Sequence, residues 1–389
     1  MTYRVAIVGA GPSGFYAADG LLRAISADGP DLHIDIIDRL PTPFGLVRAG
    51  VAPDHQGTKA VVRQFDKILA HEAVRFCGNV DVGRDVSWDE MREHYDAMIV
   101  ATGRTIDRKL GVAGEELPHV WGSFRFVAWL NGHPDFRQGP DLAKVRKAAV
   151  IGNGNVALDV ARLLAKSADE MAKSDIVPEA GAALAAAPLA AVHVIGRRGP
   201  EHASFTNNEL AEMGRLARAV AVADATALTV SLPDSDPTPE RLRKARNLEI
   251  LRGFAANTPG SKPVTVRFEF NRPTTAIESG EFDLVITCIG YDGEPYPTGD
   301  GMFAVGWARR GPNGTIPTNR ADSHAVARQV MAWLKERDPG SGTDIIPACV
   351  DAAGWHRIDK AEVAAGAAAG RPRIKLVDRD GLLAVAQGD

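Results

Sequence analysis

Two glycine clusters in this chain have the residue types and spacing to cradle a diphosphate. The first, Gly9-Ala-Gly11-Pro-Ser13-Gly14, follows the β-branched stretch Arg4 to Val8 and precedes an Ala- and Leu-rich stretch, Phe15 to Ala24. The second, Gly152-Asn-Gly154-Asn155-Val156-Ala157, follows Ala148 to Ile151 and precedes Leu158 to Lys166. In each, the first glycine permits a tight turn and the second lets backbone approach a pyrophosphate. The third small residue, Gly14 or Ala157, lets the next helix pack against the strand. That helix then offers free N–H groups and its positive dipole end to the anion.

Side chains one strand further on distinguish the two ligands. Asp38 ends the stretch Leu32 to Ile37, 24 residues past Gly14, where an acid accepts hydrogen bonds from an adenosine ribose. The corresponding stretch Ala191 to Ile195 ends instead in Gly196-Arg197-Arg198. Two guanidiniums can grip a phosphate bidentately, so the second cluster is expected to take NADP(H) rather than NAD(H). Paired dinucleotide sites suggest that one holds a flavin and the other supplies hydride, and the acid-bearing first site is the expected FAD site.

The elements that position these residues repeat. Tyr95-Asp96-Ala-Met-Ile-Val-Ala-Thr-Gly103 closes the first segment, and Phe282-Asp283-Leu-Val-Ile-Thr-Cys-Ile-Gly290 closes the second. Both read as an aromatic-Asp pair, a buried parallel strand, then glycine at the carboxyl end, where open α/β sheets bind ligands. Met302 to Trp307 and the helical Ala321 to Glu336 need a sheet to pack on. The expected class is therefore α/β, with two Rossmann-like three-layer domains. Residues 106–291 form an NADP domain inserted in a discontinuous FAD domain, 1–105 and 292–389. Between the landmarks, Asp135 to Lys147 reads as a polar connection and Pro233 to Pro239 as a loop. Pro339-Gly340-Ser-Gly342 reads as a turn, and 365–389 as helix end, strand and tail.

The chain resembles the adrenodoxin reductase type of ferredoxin–NADP+ reductase over almost its whole length. The stretches that carry the resemblance are Gly9 to Ala18, Leu40-Pro-Thr-Pro-Phe-Gly-Leu46-Val-Arg48-Ala-Gly-Val-Ala-Pro-Asp54-His55, Gly152 to Arg162, Gly196 to Pro200, and Val305-Gly-Trp307-Ala-Arg-Arg-Gly-Pro-Asn-Gly314-Thr315-Ile316. The resemblance implies FAD contacts at Ser13, Asp38 (in place of the usual Glu), Leu46 and Val82. It places Trp307 and the Gly314-Thr315-Ile316 turn at the isoalloxazine. It implies NADP contacts at Arg108, Asn155, Val156, Ala157, Leu158, Arg197, Arg198 and Glu209, with Gly314 shared by both cofactors. His55 and Glu212 match a polar pair near the flavin in relatives, the candidate catalytic groups. Two departures stand out: a shorter chain between the Arg-Arg and Gly-Trp motifs, and Glu201-His202 after Pro200.

The implied activity is FAD-dependent passage of electrons from NADPH to a small acidic ferredoxin-type iron–sulfur protein. Two alternatives stay open: an NADPH-dependent flavin monooxygenase, and an electron-relaying flavoprotein subunit. The first lacks its Phe-x-Gly-x-x-x-His motif, and the second lacks its cysteine-rich cluster domain. Composition narrows the field further. Cys77, Cys288 and Cys349 are far apart with no CxxC, which removes the sequence basis for dithiol reductases, iron–sulfur ligation and a metal site. Lys plus Arg total 45 against 49 Asp plus Glu, a net −4 that argues against nucleic acid. Any cationic partner surface must then be local, and Arg241-Leu-Arg243-Lys244-Ala-Arg246 is the strongest candidate for steering an acidic ferredoxin. The Ala-rich run from Ala180 to Ile195 is too short and too interrupted to span a bilayer, and a cytoplasmic location is expected.

Overall fold

A computed structural model of the chain describes residues 2–25, 31–232 and 238–388. The loop read at Pro233 to Pro239 therefore lies largely outside the described residues. The chain divides into two compact units, Met1–Ile106 with Asn131–Asp135 and Tyr291–Asp389, and Asp107–Leu130 with Phe136–Gly290. Asn131–Asp135 joins the first unit through polar contacts. The Asn131 carboxamide oxygen accepts the Lys59 and Lys375 ammoniums at 2.7 and 2.9 Å, and Asp135 pairs with Arg39.

The first unit holds a five-stranded parallel sheet in the order Met302–Ala304, Ala97–Val100, Thr2–Val8, Asp31–Asp38, Val74–Gly78. Side chains alternate across it, so each face builds its own core. Val5, Ile7, Ile34, Ile36 and Ile99 meet Phe15, Ala18 and Leu21 of helix Pro12–Ile25 and Val326, Val330 and Leu334 of helix Ile316–Lys335. Ala6, Ile37, Cys77 and Met98 meet Met91 and Tyr95 on the other face. A layer of sheet with packed elements on both sides is the expected three-layer arrangement. Gly20 sets the spacing of the two helices, since a Cβ there would lie 2.7 Å from that of Ala327.

The second unit repeats the grammar in a six-stranded parallel sheet: Val120–Gly122, Leu284–Thr287, Lys147–Ile151, Ala191–Ile195, Val264–Glu269, Ala219–Ala223. In both sheets the strand before the glycine turn is central, flanked by the closing strand on one side and the next strand on the other. The echo extends to single hydrogen bonds. Asp96 accepts the backbone N–H of Arg4 at 2.7 Å, and Asp283 accepts those of Arg146 and Lys147, both at 2.9 Å. Each aromatic-Asp pair thus anchors the start of the central strand beside it.

The Ala-rich run is helix Pro178–Ala186 leading into a strand. Among the described residues no helix is long and apolar enough to cross a membrane. Among the described residues of 365–389 there is no strand; the end of helix Ala352–Ala368 leads through coil to helix Arg379–Gln387. Two of the intervening backbone donors go to Glu362, whose carbonyl accepts Ile374 N–H at 3.0 Å and whose carboxylate accepts Leu376 N–H at 2.9 Å.

Candidate functional site

In the first unit the glycine turn is dictated by close approach of backbone. Gly9 has φ +112°, and a Cβ there would lie 2.5 Å from the Ala101 carbonyl oxygen. Gly14 is packed as tightly, 2.2 Å from the Gly9 carbonyl. Gly11 differs, because a Cβ there would meet nothing within 4 Å. Open space at the middle glycine, at the start of a 14-residue helix, is what a diphosphate needs. Asp38 closes the turn from below: its carboxylate accepts Ala10 N–H at 2.8 Å and Leu40 N–H at 2.9 Å. Burial pushes its pKa up, and those two N–H groups oppose the rise. Each carboxylate oxygen keeps a second lone pair, so bracing the turn is compatible with accepting a ribose hydroxyl.

The Leu40 to His55 block lies directly on this turn. Phe44 donates its N–H to the Ala10 carbonyl at 2.7 Å from a left-handed φ of +81°. A phenylalanine holds that conformation only when packing over-determines it. Its buried ring meets Phe15 and Trp355 at 5.4 Å each. Gly45, at φ +46°, would place a Cβ 3.0 Å from Gly11 Cα, and Leu46 opens the short helix that follows. Val82 borders the core on the opposite sheet face. His55 precedes the short helix Gln56–Lys59 and is half-buried.

The Gly-Trp motif reaches the same helix from the far end of the chain. Gly306, at φ +61°, would put a Cβ 1.9 Å from the hydroxyl oxygen of buried Ser13. The Gly306 N–H donates to Asp322 at 2.7 Å, and Arg309 pairs with that carboxylate. Burial opposes ionisation of Asp322, yet these partners hold it below the usual carboxylate range. Trp307 stacks on Tyr291 at 6.1 Å, donates its indole N–H to the Asn313 carbonyl at 3.2 Å, and accepts Arg104 on its own carbonyl at 2.9 Å. Gly314 turns at φ +85°, and Thr315 caps the 20-residue helix starting at Ile316 in a reciprocal pair with Thr318.

The second unit repeats the turn at Gly152, where φ is +147° and a Cβ would lie 2.3 Å from the Cys288 carbonyl oxygen. Gly154 precedes helix Asn155–Ala165, whose first turn contains Val156, Ala157 and Leu158. Asn155 accepts Thr206 N–H at 2.8 Å, and the Thr206 hydroxyl binds Glu209, so both expected contact residues hold the segment after the Arg-Arg motif. Arg197 and Arg198 are exposed, and neither has an ion-pair partner among the described residues. Arg108 is also exposed, its N–H bonded to the Gly290 carbonyl at 3.1 Å. Glu212 faces buried Arg162 at 3.6 Å, with Asp159 at 2.6 Å from the same guanidinium. Glu201 and His202 contact each other at 3.3 Å.

The basic run is less bare than its sequence implies. On helix Pro239–Ala255, Arg243 donates to the Phe205 carbonyl at 2.7 Å, Lys244 pairs with Glu240 at 3.0 Å, and Arg246 with Glu249 at 2.8 Å.

A family model described as pyridine nucleotide-disulphide oxidoreductase matches residues 3–198. The chain is 35% identical over 463 residues to NADPH-ferredoxin reductase FprA of Mycobacterium tuberculosis, covering 99% of both chains. It is 33% identical to the mitochondrial NADPH:adrenodoxin oxidoreductase of Arabidopsis thaliana, covering 98% of this chain and 95% of that protein. The solved structure of Mycobacterium tuberculosis FprA in complex with NADPH superposes with a TM-score of 0.89 at 34% identity, over 100% of both chains.

The chain belongs to the NADPH–ferredoxin reductase family of the adrenodoxin reductase type. It is an oxidoreductase of a family that works with FAD and NADP(H), and the first glycine turn fits a dinucleotide by the open space at Gly11, whereas a Cβ at Gly154 would lie 3.2 Å from the Ser204 hydroxyl oxygen. For this reductase, 463 aligned positions against 389 residues leave at least 74 positions with no residue here, so the chain is the shorter of the two.

Sequence reading missed the structural parts of Phe44 and Gly45, although both lie in the Leu40 to His55 block, and missed Asp322, Tyr291 and Arg104, which hold the named residues rather than carrying a motif. The contrast between Gly9 and Gly11 gives a direct test. Gly11→Ala should leave the apoprotein's melting temperature within about 2 °C of wild type and weaken flavin binding at least tenfold, whereas Gly9→Ala should impair folding itself. Differential scanning fluorimetry and flavin titration measure the two effects separately.

Proposed function

We propose that this chain is a FAD-dependent ferredoxin–NADP+ reductase that takes hydride from NADPH and delivers single electrons to a ferredoxin-type iron–sulfur protein. The observation that carries the NADPH half is the pair of unpartnered, exposed guanidiniums at Arg197 and Arg198. They stand just past strand Ala191–Ile195, in the unit that contains the Gly152 turn. Bound FAD supplies the conversion of a two-electron donor into a one-electron donor.

The residues of the chain bind and orient. Gly9, Gly11 and Gly14 admit the flavin diphosphate, with Ser13 and the helix start facing it. Asp38 braces that turn and meets the ribose, and Leu46 and Val82 contact FAD. Trp307, Gly314, Thr315 and Ile316 define the flavin-ring end, where Trp307 is locked in orientation by Tyr291, Asn313 and Arg104. In the second unit Gly152, Gly154, Asn155, Val156, Ala157 and Leu158 hold the NADP diphosphate. Arg108 and Glu209 join Arg197 and Arg198 in holding the rest of the nucleotide. His55 and Glu212 serve as the polar pair that moves or holds a proton near the flavin. His55→Gln should then alter the pH profile of flavin reduction in stopped-flow measurements, and an identical profile would remove the relay.

The partner is a small acidic ferredoxin. Most of the Arg241 to Arg246 run is already engaged, so its part in steering is modest. Anaerobic titration of the purified yellow protein with NADPH tests the whole reading. Bleaching of the flavin followed by reoxidation with ferredoxin is expected. Reoxidation only by an organic substrate with oxygen would favour a monooxygenase, and a protein that stays colourless after FAD reconstitution would refute the proposal.

A further inference from the structure

The two glycine turns differ in where a hydroxyl comes from. Matching hydrogen bonds fix their equivalence: Gly9 N–H donates to the Ile37 carbonyl at 2.7 Å, and Gly152 N–H to the Ile195 carbonyl at 2.9 Å. Gly11 therefore corresponds to Gly154, and Ser13 to Val156. The first turn carries a hydroxyl inside its motif, and the second has an aliphatic side chain at that place. A hydroxyl reaches the second turn from outside the motif instead. A Cβ on Gly154 would lie 3.2 Å from Ser204 Oγ, whereas one on Gly11 would meet nothing within 4 Å.

Ser204 is pinned in that place. Its N–H and its hydroxyl both donate to the Asn153 carbonyl, at 2.8 and 3.0 Å, and the Thr206 N–H donates to the Asn155 side chain at 2.8 Å. Ala203 and Phe205 on either side are buried, while Ser204 is exposed. The Phe205 carbonyl accepts Arg243 at 2.7 Å and Asn247 at 2.8 Å, which fixes the segment from its other face. The Asn153 carbonyl keeps the Ser204 N–H whatever the hydroxyl does, so the hydroxyl can turn its single proton to another acceptor. In the same turn the Asn153 carboxamide oxygen is buried with no hydrogen-bond partner among the described residues. A rotatable donor and a buried acceptor beside one glycine are groups that a bound nucleotide would satisfy.

We propose that Ser204 is a further nucleotide-binding residue of the second unit, its hydroxyl donating to the diphosphate. The inference rests on the assignment of that unit to NADP(H). The middle glycine of such a turn is where backbone approaches a pyrophosphate, and Ser204 stands where a Cβ on that glycine would project. When the nucleotide binds, the hydroxyl turns from the Asn153 carbonyl to a phosphate oxygen, and that carbonyl retains the Ser204 N–H. No protein group is left without its partner by the exchange. Because the segment is already held by Asn153, Asn155, Arg243 and Asn247, little ordering opposes the new bond. Arg197 and Arg198 recognise the phosphate that only NADP(H) carries. Ser204 recognises the diphosphate common to NADP(H) and NAD(H), so it adds affinity without selectivity.

The test titrates folded, FAD-loaded enzyme calorimetrically with NADP+ and, separately, with adenosine 2′-monophosphate, which has the selective phosphate but no diphosphate. Ser204→Ala should weaken NADP+ about tenfold, the worth of one hydrogen bond to a charged group, and leave adenosine 2′-monophosphate within about twofold. Its melting temperature should stay within about 2 °C of wild type, because the side chain is exposed. Ser204→Asp, which sets a carboxylate against the diphosphate, should weaken NADP+ about 100-fold. In steady-state kinetics Ser204→Ala should lower kcat/KM for NADPH and NADH by the same factor, a signature that loss of Arg197 and Arg198 does not give. NADP+ binding that is unchanged or tighter in Ser204→Ala would overturn the assignment, showing that the hydroxyl only fills space beside Gly154. An equal loss for adenosine 2′-monophosphate would overturn it too. A wild type that bound neither ligand would instead overturn the NADP(H) reading of the unit, and the role of Ser204 with it.

Discussion

Alanine at both Arg197 and Arg198 should lower kcat/KM for NADPH by about 100-fold while changing that for NADH less than about threefold. The size follows from what the two side chains can give a phosphate. Hydrogen bonds to charged groups contribute about 1.5–3 kcal/mol each, and the lower end applies to exposed guanidiniums. Two such bonds then amount to about 3 kcal/mol, or roughly two decades in binding. The loss should fall on KM, because a grip on the nucleotide's phosphate is made equally in the bound and reacting states. The rate of flavin reduction at saturating NADPH should stay near wild type. Steady-state kinetics with both nucleotides, plus single-turnover reduction, separate these terms. A wild-type enzyme that already used NADH and NADPH equally well would remove the assignment of the second site.

Those arginines were legible because they sit at a fixed offset from a glycine turn, at the end of a strand whose periodicity is plain. The same holds for Gly9, Gly152 and the repeated aromatic-Asp closures, where local chemistry and neighbouring strands dictate one answer. Long-range consequences were not legible. Nothing in Pro43-Phe44-Gly45 announces a left-handed phenylalanine, since that conformation is imposed by Phe15 and Trp355, the latter more than 300 residues away. Asn131–Asp135 reads as part of the inserted segment, but its partners Lys59, Lys375 and Arg39 come from the enclosing one. The Arg241 to Arg246 run reads as a cationic patch because sequence shows charges and not the carbonyls and carboxylates that consume them.

The residue with the largest expected effect on stability carries no motif at all. Glu362 is 1% exposed, and its carboxylate receives Arg48 through two hydrogen bonds of 2.8 and 2.5 Å and Arg373 at 3.2 Å. Arg48 sits in the short helix that starts at Leu46, so this pair holds the C-terminal helix to the flavin turn. Glu362→Ala would leave two guanidiniums short of their counter-charge in the interior, although Arg373 keeps Asp359 at 2.7 Å. Breaking a buried pair in this way costs about 3–5 kcal/mol. For a unit of this size that is a fall in melting temperature of roughly 10 °C, and weaker flavin retention should accompany it. The pH dependence follows from the direction of the shift. Burial opposes ionisation of Glu362, but Arg48 and Arg373 outweigh it and hold the folded pKa below the ordinary value. The carboxylate's contribution is then complete above the unfolded pKa of about 4.3 and is lost as pH falls through the lower folded value. The gap in melting temperature between wild type and Glu362→Ala should be constant from about pH 8 to 5 and narrow below about pH 4. A gap that persisted undiminished at pH 3 would show that Glu362 acts through its packing volume and not its charge.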